Sequence, residues 1–224
     1  MNRAVSWFCK IFLAPVVKKL LIKEVKGWKN IPKENFILAT NHQSHLDEIA
    51  AGYVCVPRRF SFIGQTDQYS GFTKLLLYIL YFICGVIHLN RKSEESKRKA
   101  VEEAIRALKQ KDILIIYPEG TRTRTGKIGK GKWGIARIFL ETKVPILPVA
   151  IKGTFELLPP GGKLKIKRIV KINIGKPLYF KKELEKIKTI QNIDSKEKEK
   201  ILIEITNNVM GEIASLKSEL DLKK

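Results

Sequence analysis

Two short apolar runs, Phe36 to Thr40 and Ile113 to Tyr117, each end directly on a polar block. The first runs into Asn41-His42-Gln43-Ser44-His45-Leu46-Asp47, the second into Pro118-Glu119-Gly120-Thr121-Arg122. Both runs read as buried strands, and chemistry-bearing residues placed just beyond strand ends are the arrangement of an α/β domain, whose ligands bind outside the carboxyl ends of the sheet. Any fold for this chain must therefore bring two strand ends, with their polar blocks, to one side of a sheet.

The rest of the pattern agrees. Leu46 to Val56 reads as a helix and Arg59 to Gly64 as a second strand. Leu75 to Leu89 is almost wholly apolar but falls short of the ~20 residues a helix needs to span a bilayer, and Gly85 divides it. A helix to about Phe82 and then a strand ending near Arg91 are expected. Ser93 caps a further helix, with Glu94 and Glu95 in its first turn and Ala100, Val101, Ala104, Ile105 and Leu108 at helical spacing. Trp133 to Glu141 predicts a helix, Val144 to Ile151 a strand, and Lys196 to Leu216 a last helix with Leu202, Ile205, Val209, Ile213 and Leu216 on one face. From Lys163 to Gly175, Leu164, Ile166, Val170, Ile172 and Ile174 take the even positions and Lys163, Lys165, Lys167 and Lys171 odd ones, a pattern broken at Arg168 and Ile169, which predicts a half-buried strand with a basic outer face. Such a face either protects a sheet edge or meets lipid. The fold class that follows is α/β: a mixed, partly parallel sheet flanked by helices, with an N-terminal amphipathic helical segment.

That segment, from Ala4 to Leu21, carries Trp7, Phe8, Ile11, Phe12, Leu13 and Val16 together with Lys10, Lys18 and Lys19. Lys10 interrupts the apolar stretch and no small-residue cleavage site follows, so it is expected to stay attached, and Pro15 is expected to divide it into two short amphipathic pieces. It suits the lipid interface, with its lysines among anionic headgroups, or packing on the domain core. Residues 1–30 are expected to form this membrane-interface segment and residues 31–224 one catalytic domain.

Composition narrows the partners. A chain of 224 residues with 44% hydrophobic content can bury one substantial core. Its net charge of +21 attracts any polyanion, whether headgroups, an acidic carrier protein or nucleic acid. The aromatics lie in apolar runs rather than among lysines and no base-reading module is evident, so nucleic acid is set aside as a partner. Cys9, Cys55 and Cys84 are odd in number and unpaired in spacing, which fits thiols in a reducing compartment.

His42 and Asp47 are the candidate catalytic pair. Ser44-His45-Leu46-Asp47 has the spacing of a capping box, so Ser44 is expected as N-cap with Asp47 in the first helical turn, close enough to reach back to His42. A carboxylate there can orient one imidazole nitrogen while the other takes a proton from a substrate hydroxyl. Taken alone, a histidine and an aspartate at this spacing are more often a loop residue and a helix cap. His42, His45 and Asp47 make a poor metal set, since the chain offers only His88 besides and no clustered cysteines; no metal is expected. In the second block Arg122 supplies a planar donor fork matched to phosphate, and Gly120 permits tight backbone approach.

The chain resembles the 1-acyl-glycerol-3-phosphate acyltransferase (PlsC-like) family in four ordered blocks. Asn41 to Asp47 is similar to its NHxSxxD block, Gly85 to Arg91 to its glycine-to-arginine block, Tyr117 to Arg122 to its F-P-E-G-T-R block, and Val144 to Ala150 to its V-P-I-x-P-V block. The resemblance covers about residues 30 to 180. It implies an enzyme that moves a fatty acyl chain from a coenzyme A or acyl carrier protein thioester to the free hydroxyl of a lysophospholipid, forming phosphatidic acid, with no bound cofactor. It further implies His42 as general base, Asp47 as its orienting group, and Arg91, Glu119, Gly120, Thr121 and Arg122 as acceptor-binding residues. The implied location is the cytoplasmic face of the cell membrane, peripheral or monotopic. Phe72 to Phe82 would line an acyl tunnel, touch the membrane or fill the core. One departure is notable: Gln65 stands where members acting on lysophosphatidic acid often carry lysine, which leaves open another lyso-lipid or amino-lipid acceptor, unless Lys74 or the basic loop after Arg122 compensates. A non-catalytic lipid-binding protein of the same fold is the competing class.

Overall fold

The structure, a computed structural model, describes residues 2–65, 85–189 and 195–222. The helix expected up to Phe82, together with Lys74 and Cys84, lies outside the described residues. The strands are β1 (Ile22–Lys26), β2 (Ile37–Thr40), β3 (Phe60–Gln65), β4 (Val86–Leu89), β5 (Ile113–Ile116), β6 (Ile146–Lys152) and β7 (Val170–Ile174). Among the described residues they form one sheet in the order β1-β7-β6-β2-β5-β3-β4. The helices are α1 (Arg3–Phe8), α2 (Ala14–Leu20), α3 (Leu46–Cys55), α4 (Glu94–Lys109), α5 (Gly134–Thr142), α6 (Thr154–Leu157), α7 (Lys181–Thr189) and α8 (Ser195–Leu222).

The apolar runs are continuous because the sheet is covered on both faces. Phe36, Leu38, Ile115 and Leu147 pack with Ala50, Ala51 and Val54 of α3 and Ala14 of α2. Their strand neighbours Ile37, Ala39, Leu114 and Ile146 point the other way, onto Ala104 and Leu108 of α4, Ile138 and Phe139 of α5, and Ile205 and Val209 of α8. Parallel pairing of Ile37 with both Leu114 and Ile146 places β2 at the centre of this three-layer core. Each large side chain sealed here contributes about 1.5–3 kcal/mol over an exposed position. Ser93 caps α4 as expected, its hydroxyl accepting from the Ser96 N–H at 3.1 Å.

Strand direction positions the site. β2, β3, β4, β5 and β6 are mutually parallel, whereas β7 runs antiparallel to β6 and β1 runs parallel to β7. The starts of β7 and β1 consequently lie beside the finish of the parallel strands: Lys171 pairs with Lys152, and Val170 with Ile22. The α2-to-β1 junction and the segment leading into β7 therefore sit at the same end of the sheet as Asn41 and Tyr117.

Several sequence expectations change. The strand expected from Lys163 is only Val170–Ile174, and it lies between β1 and β6 rather than at an edge; residues 163–168 precede it as exposed, non-strand chain. Their alternation imitates a strand, but no neighbouring strand pairs with them among the described residues. Pro15 does not divide the N-terminal segment. A π-helical turn, Cys9–Leu13, joins α1 to α2, and Pro15 falls in the first turn of α2, where a missing N–H costs nothing. The last helix runs from Ser195 to Leu222, longer at both ends than its apolar face predicts. β1, α6 and α7 were not anticipated.

Candidate active site

The turn between β2 and α3 is held by side chains acting as backbone. Asn41 accepts from the Ile151 N–H and donates to the Ile151 carbonyl, both at 2.8 Å, so its amide continues the pairing of β2 with β6 while the main chain turns away. Asp47, wholly buried in the first turn of α3, gathers donors on Oδ2: the Gln43 N–H at 2.5 Å, the Ser44 N–H at 2.7 Å and His42 Nδ1 at 3.0 Å. The carboxylate can only accept, so Nδ1 carries the imidazole proton and Nε2 is the basic nitrogen. Ser44 is displaced by one residue from the expected N-cap position, which His45 takes. Its hydroxyl nevertheless accepts from the Leu46 N–H at 3.1 Å and donates to the Leu158 carbonyl at 2.7 Å, tying the turn to the chain after α6.

The second block grips the first. Glu119 is buried, and its Oε1 accepts from the His42 N–H at 2.8 Å while Oε2 accepts from the Gly129 N–H at 2.7 Å. The His42 carbonyl accepts from the Thr123 N–H at 2.9 Å. The Tyr117 ring lies against the imidazole, with centroids 3.9 Å apart and planes 19° from parallel. Burial holds the Tyr117 phenol well above its ordinary pKa, and the charges of Glu48 and Asp47 add to this. Gly120 turns the chain with φ +67° directly after Glu119, a conformation that side chains with a Cβ rarely adopt.

His42 opens onto a cleft of about 1260 Å³. Arg91, Gly120, Thr121 and Arg122 line it with His42, as does Gln65 at the end of β3. Lys97, Arg98, Lys132 and Arg137 add positive charge, and Ile63, Leu89, Ile105, Ile116 and Ile138 add apolar surface. A cleft both basic and apolar suits an amphipathic anion. Of the acceptor-site candidates, Glu119 alone is absent from this lining, its carboxylate committed to backbone amides beneath His42. Asn41 and Tyr117 were not singled out in sequence; both lie within the motif blocks, but their partners, Ile151 and the His42 ring, are set by tertiary contact. Among the described residues no group of three or more His, Cys, Asp or Glu side chains is arranged to hold a metal ion, and Cys9 and Cys55 are free thiols.

A chloroplastic 1-acyl-sn-glycerol-3-phosphate acyltransferase of Brassica napus is 26% identical over 71% of this chain and 46% of its own length. The corresponding protein of Borreliella burgdorferi is 27% identical over 86% of this chain and 72% of its own. The chain thus spans about half the length of the plant relatives it matches. The crystal structure of the 1-acyl-sn-glycerophosphate acyltransferase PlsC from Thermotoga maritima superposes with a TM-score of 0.62 at 27% identity, covering 95% of this chain and 79% of that one. Residues 23–152, more than half of the chain and including both polar blocks, match the family model described as Acyltransferase, and the chain belongs to that family.

Proposed function

We propose that this protein transfers a fatty acyl chain from an acyl-thioester, carried by coenzyme A or acyl carrier protein, to the sn-2 hydroxyl of 1-acyl-glycerol-3-phosphate, forming phosphatidic acid. The observation that carries the reading is the His42 Nδ1 to Asp47 Oδ2 contact of 3.0 Å on an imidazole that lines a basic, partly apolar cleft. His42 Nε2 takes the proton of the acceptor hydroxyl as its oxygen attacks the thioester carbonyl. Asp47 stabilises the imidazolium so formed, and the proton passes to the departing thiolate as the tetrahedral intermediate collapses. Arg122 and Arg91 receive the acceptor phosphate, with Gly120 and Thr121 shaping the approach. Glu119 fixes the backbone that presents His42.

The acceptor is drawn from a bilayer. No helix among the described residues is long and apolar enough to cross a membrane. Yet Trp7, Phe8, Ile11, Phe12, Leu13, Val16 and Leu20 are exposed along α1, the π-turn and α2, while Ser6 and Ala14 are buried against the domain. One side of the segment packs and the other lies in the lipid interface, among anionic headgroups of the cytoplasmic face. Of residues 1–30, expected as the interfacial segment, those up to Leu20 are proposed to meet lipid, since Ile22–Lys26 already pairs in the sheet as β1.

A second reading, an acceptor other than lysophosphatidic acid, is favoured by Gln65, an uncharged side chain lining the same cleft as Arg91 and Arg122. Purified chain with lysophosphatidic acid and a panel of other lyso-lipids, and with both donor types, tests the two. Turnover is expected to fall by about 10²–10⁴-fold in His42→Ala. Gln65→Lys is expected to raise kcat/KM for lysophosphatidic acid if another lyso-lipid is the better substrate, and to change it little otherwise. Absence of transfer to every acceptor, or full activity in His42→Ala, overturns the mechanism.

A further inference from the structure

Leu164 and Ile166 are 55% and 65% exposed, while most aliphatic side chains of this size in the sheet and its covering helices are buried. They alternate with Lys163, Lys165 and Lys167 in the segment that leads into β7. The segment is fastened in its middle and at its C-terminal end. The Lys165 N–H donates to the Leu157 carbonyl at 2.8 Å, the Val170 N–H to the Leu21 carbonyl at 2.8 Å, and Arg168 Nε to the Ile22 carbonyl at 2.9 Å. These bonds hold it beside the junction of α2 with β1, where the exposed apolar surface of the N-terminal helices ends at Leu20. The antiparallel β6–β7 pairing sets it at the same end of the sheet as His42, and the Ser44 bond to the Leu158 carbonyl ties the chain just before it to the catalytic turn.

We propose that residues 163–168 form a second membrane contact, which inserts Leu164 and Ile166 into the interface of an anionic bilayer and, together with the N-terminal helices, holds the end of the sheet that carries His42 against the lipid. The inference extends the membrane reading given under Proposed function and rests on it. The occupant follows from chemistry: two branched aliphatic side chains need an apolar phase, and lysines on either side of each can keep their ammonium groups among headgroup phosphates while their stems run along the acyl boundary. An acidic protein would satisfy the lysines but leave Leu164 and Ile166 without a matching surface. One helical anchor leaves the domain free to roll about the helix axis, whereas two separated contacts on one rim fix which face looks into the bilayer.

Sedimentation of the full chain with vesicles of phosphatidylcholine and phosphatidylglycerol, compared with phosphatidylcholine alone, tests this. Leu164→Gln/Ile166→Gln is expected to weaken partitioning onto the mixed vesicles by about tenfold or more, from the apolar area no longer buried. Lys163→Gln/Lys165→Gln/Lys167→Gln is expected to weaken it on mixed vesicles while leaving binding to phosphatidylcholine nearly unchanged. Thermal unfolding should not move in either variant, because every substituted side chain is exposed. A parallel variant, Trp7→Ser/Phe8→Ser/Phe12→Ser, reports on the first contact. If it loses vesicle binding while both segment variants bind like the parent chain, the second contact is overturned and the first stands; if none of the three loses binding, both are overturned. Unchanged vesicle binding with a raised KM for acyl carrier protein thioester in the lysine variant assigns the segment to an acidic protein and likewise overturns the proposal.

Discussion

At the scale of single residues the site is built by carboxylates that accept from backbone amides. Glu119 bears on this most directly, because its two oxygens hold the His42 and Gly129 N–H groups and not the cleft. Glutamine can present only one acceptor oxygen, so in Glu119→Gln a donor must face a donor or one buried amide goes unpaired, at a cost of about 1–3 kcal/mol. The expected result is a lower Tm and a lower kcat with KM for the lyso-lipid acceptor little changed, read by steady-state kinetics alongside thermal unfolding. A raised KM with unchanged Tm would instead place Glu119 against the acceptor. The pair His42 and Asp47 is legible only beside the other motif blocks, since a histidine and an aspartate at this spacing are, alone, more often a loop residue and a helix cap. The hydrogen bonds of Glu119 are not legible in sequence, because its partners, at His42 and Gly129, are 77 and 10 residues away. Tyr117 reads as the last residue of a core strand; nothing in a sequence shows that its ring comes to rest on an imidazole.

At the scale of elements, local pattern was readable wherever one segment decided its own structure. Ser93 with Glu94 and Glu95 announces α4, and the runs at Phe36 and Ile113 announce strands whose two faces are both covered. Pattern misleads where the partner strand decides. Leu164 to Ile174 alternates except at Arg168 and Ile169, yet only Val170–Ile174 has neighbours to pair with. β1 offers only Ile22 and Val25 among charged residues, and it exists because β7 leaves a free edge beside it. The turn that follows β1 explains how that edge is secured. Gly27 has φ +78°, and a Cβ there would sit 2.0 Å from the Ile174 carbonyl oxygen, which also accepts from Asn30 Nδ2 at 2.8 Å. The conflict is with backbone and cannot be relieved by a rotamer. Gly27→Ala is therefore expected to cost about 2–4 kcal/mol, from positive-φ strain and the displaced turn together. Urea unfolding measures it; a loss below ~1 kcal/mol would mean that the β1 edge can shift without disturbing β7.

At the scale of the whole molecule, the α/β class could be inferred from alternating segments, while the reversal of β1 and β7 relative to the other strands could not, since it depends on which edge each strand chooses. α2 and α3 pack over one face of the sheet, and Cys55 and Tyr117 are buried within the same core. Burial raises the pKa of both, with the nearby Arg58 charge only partly opposing it at Cys55. In the unfolded chain the thiol titrates near 9.0 and the phenol near 10.0. Above those values the unfolded chain binds fewer protons than the folded one, so stability is fully present below about pH 9 and falls as pH rises further. Each group contributes a slope of about 1.4 kcal/mol per pH unit while it stays protonated only in the folded state. The comparison is therefore between chains rather than along one curve. In urea unfolding from pH 8 to 11, Cys55→Ala is expected to diverge from the parent upward from about pH 9, and Tyr117→Phe from about pH 10, each losing less stability per unit. Curves that remain parallel across that range would show that neither proton is retained on folding, and that water reaches the core beneath His42.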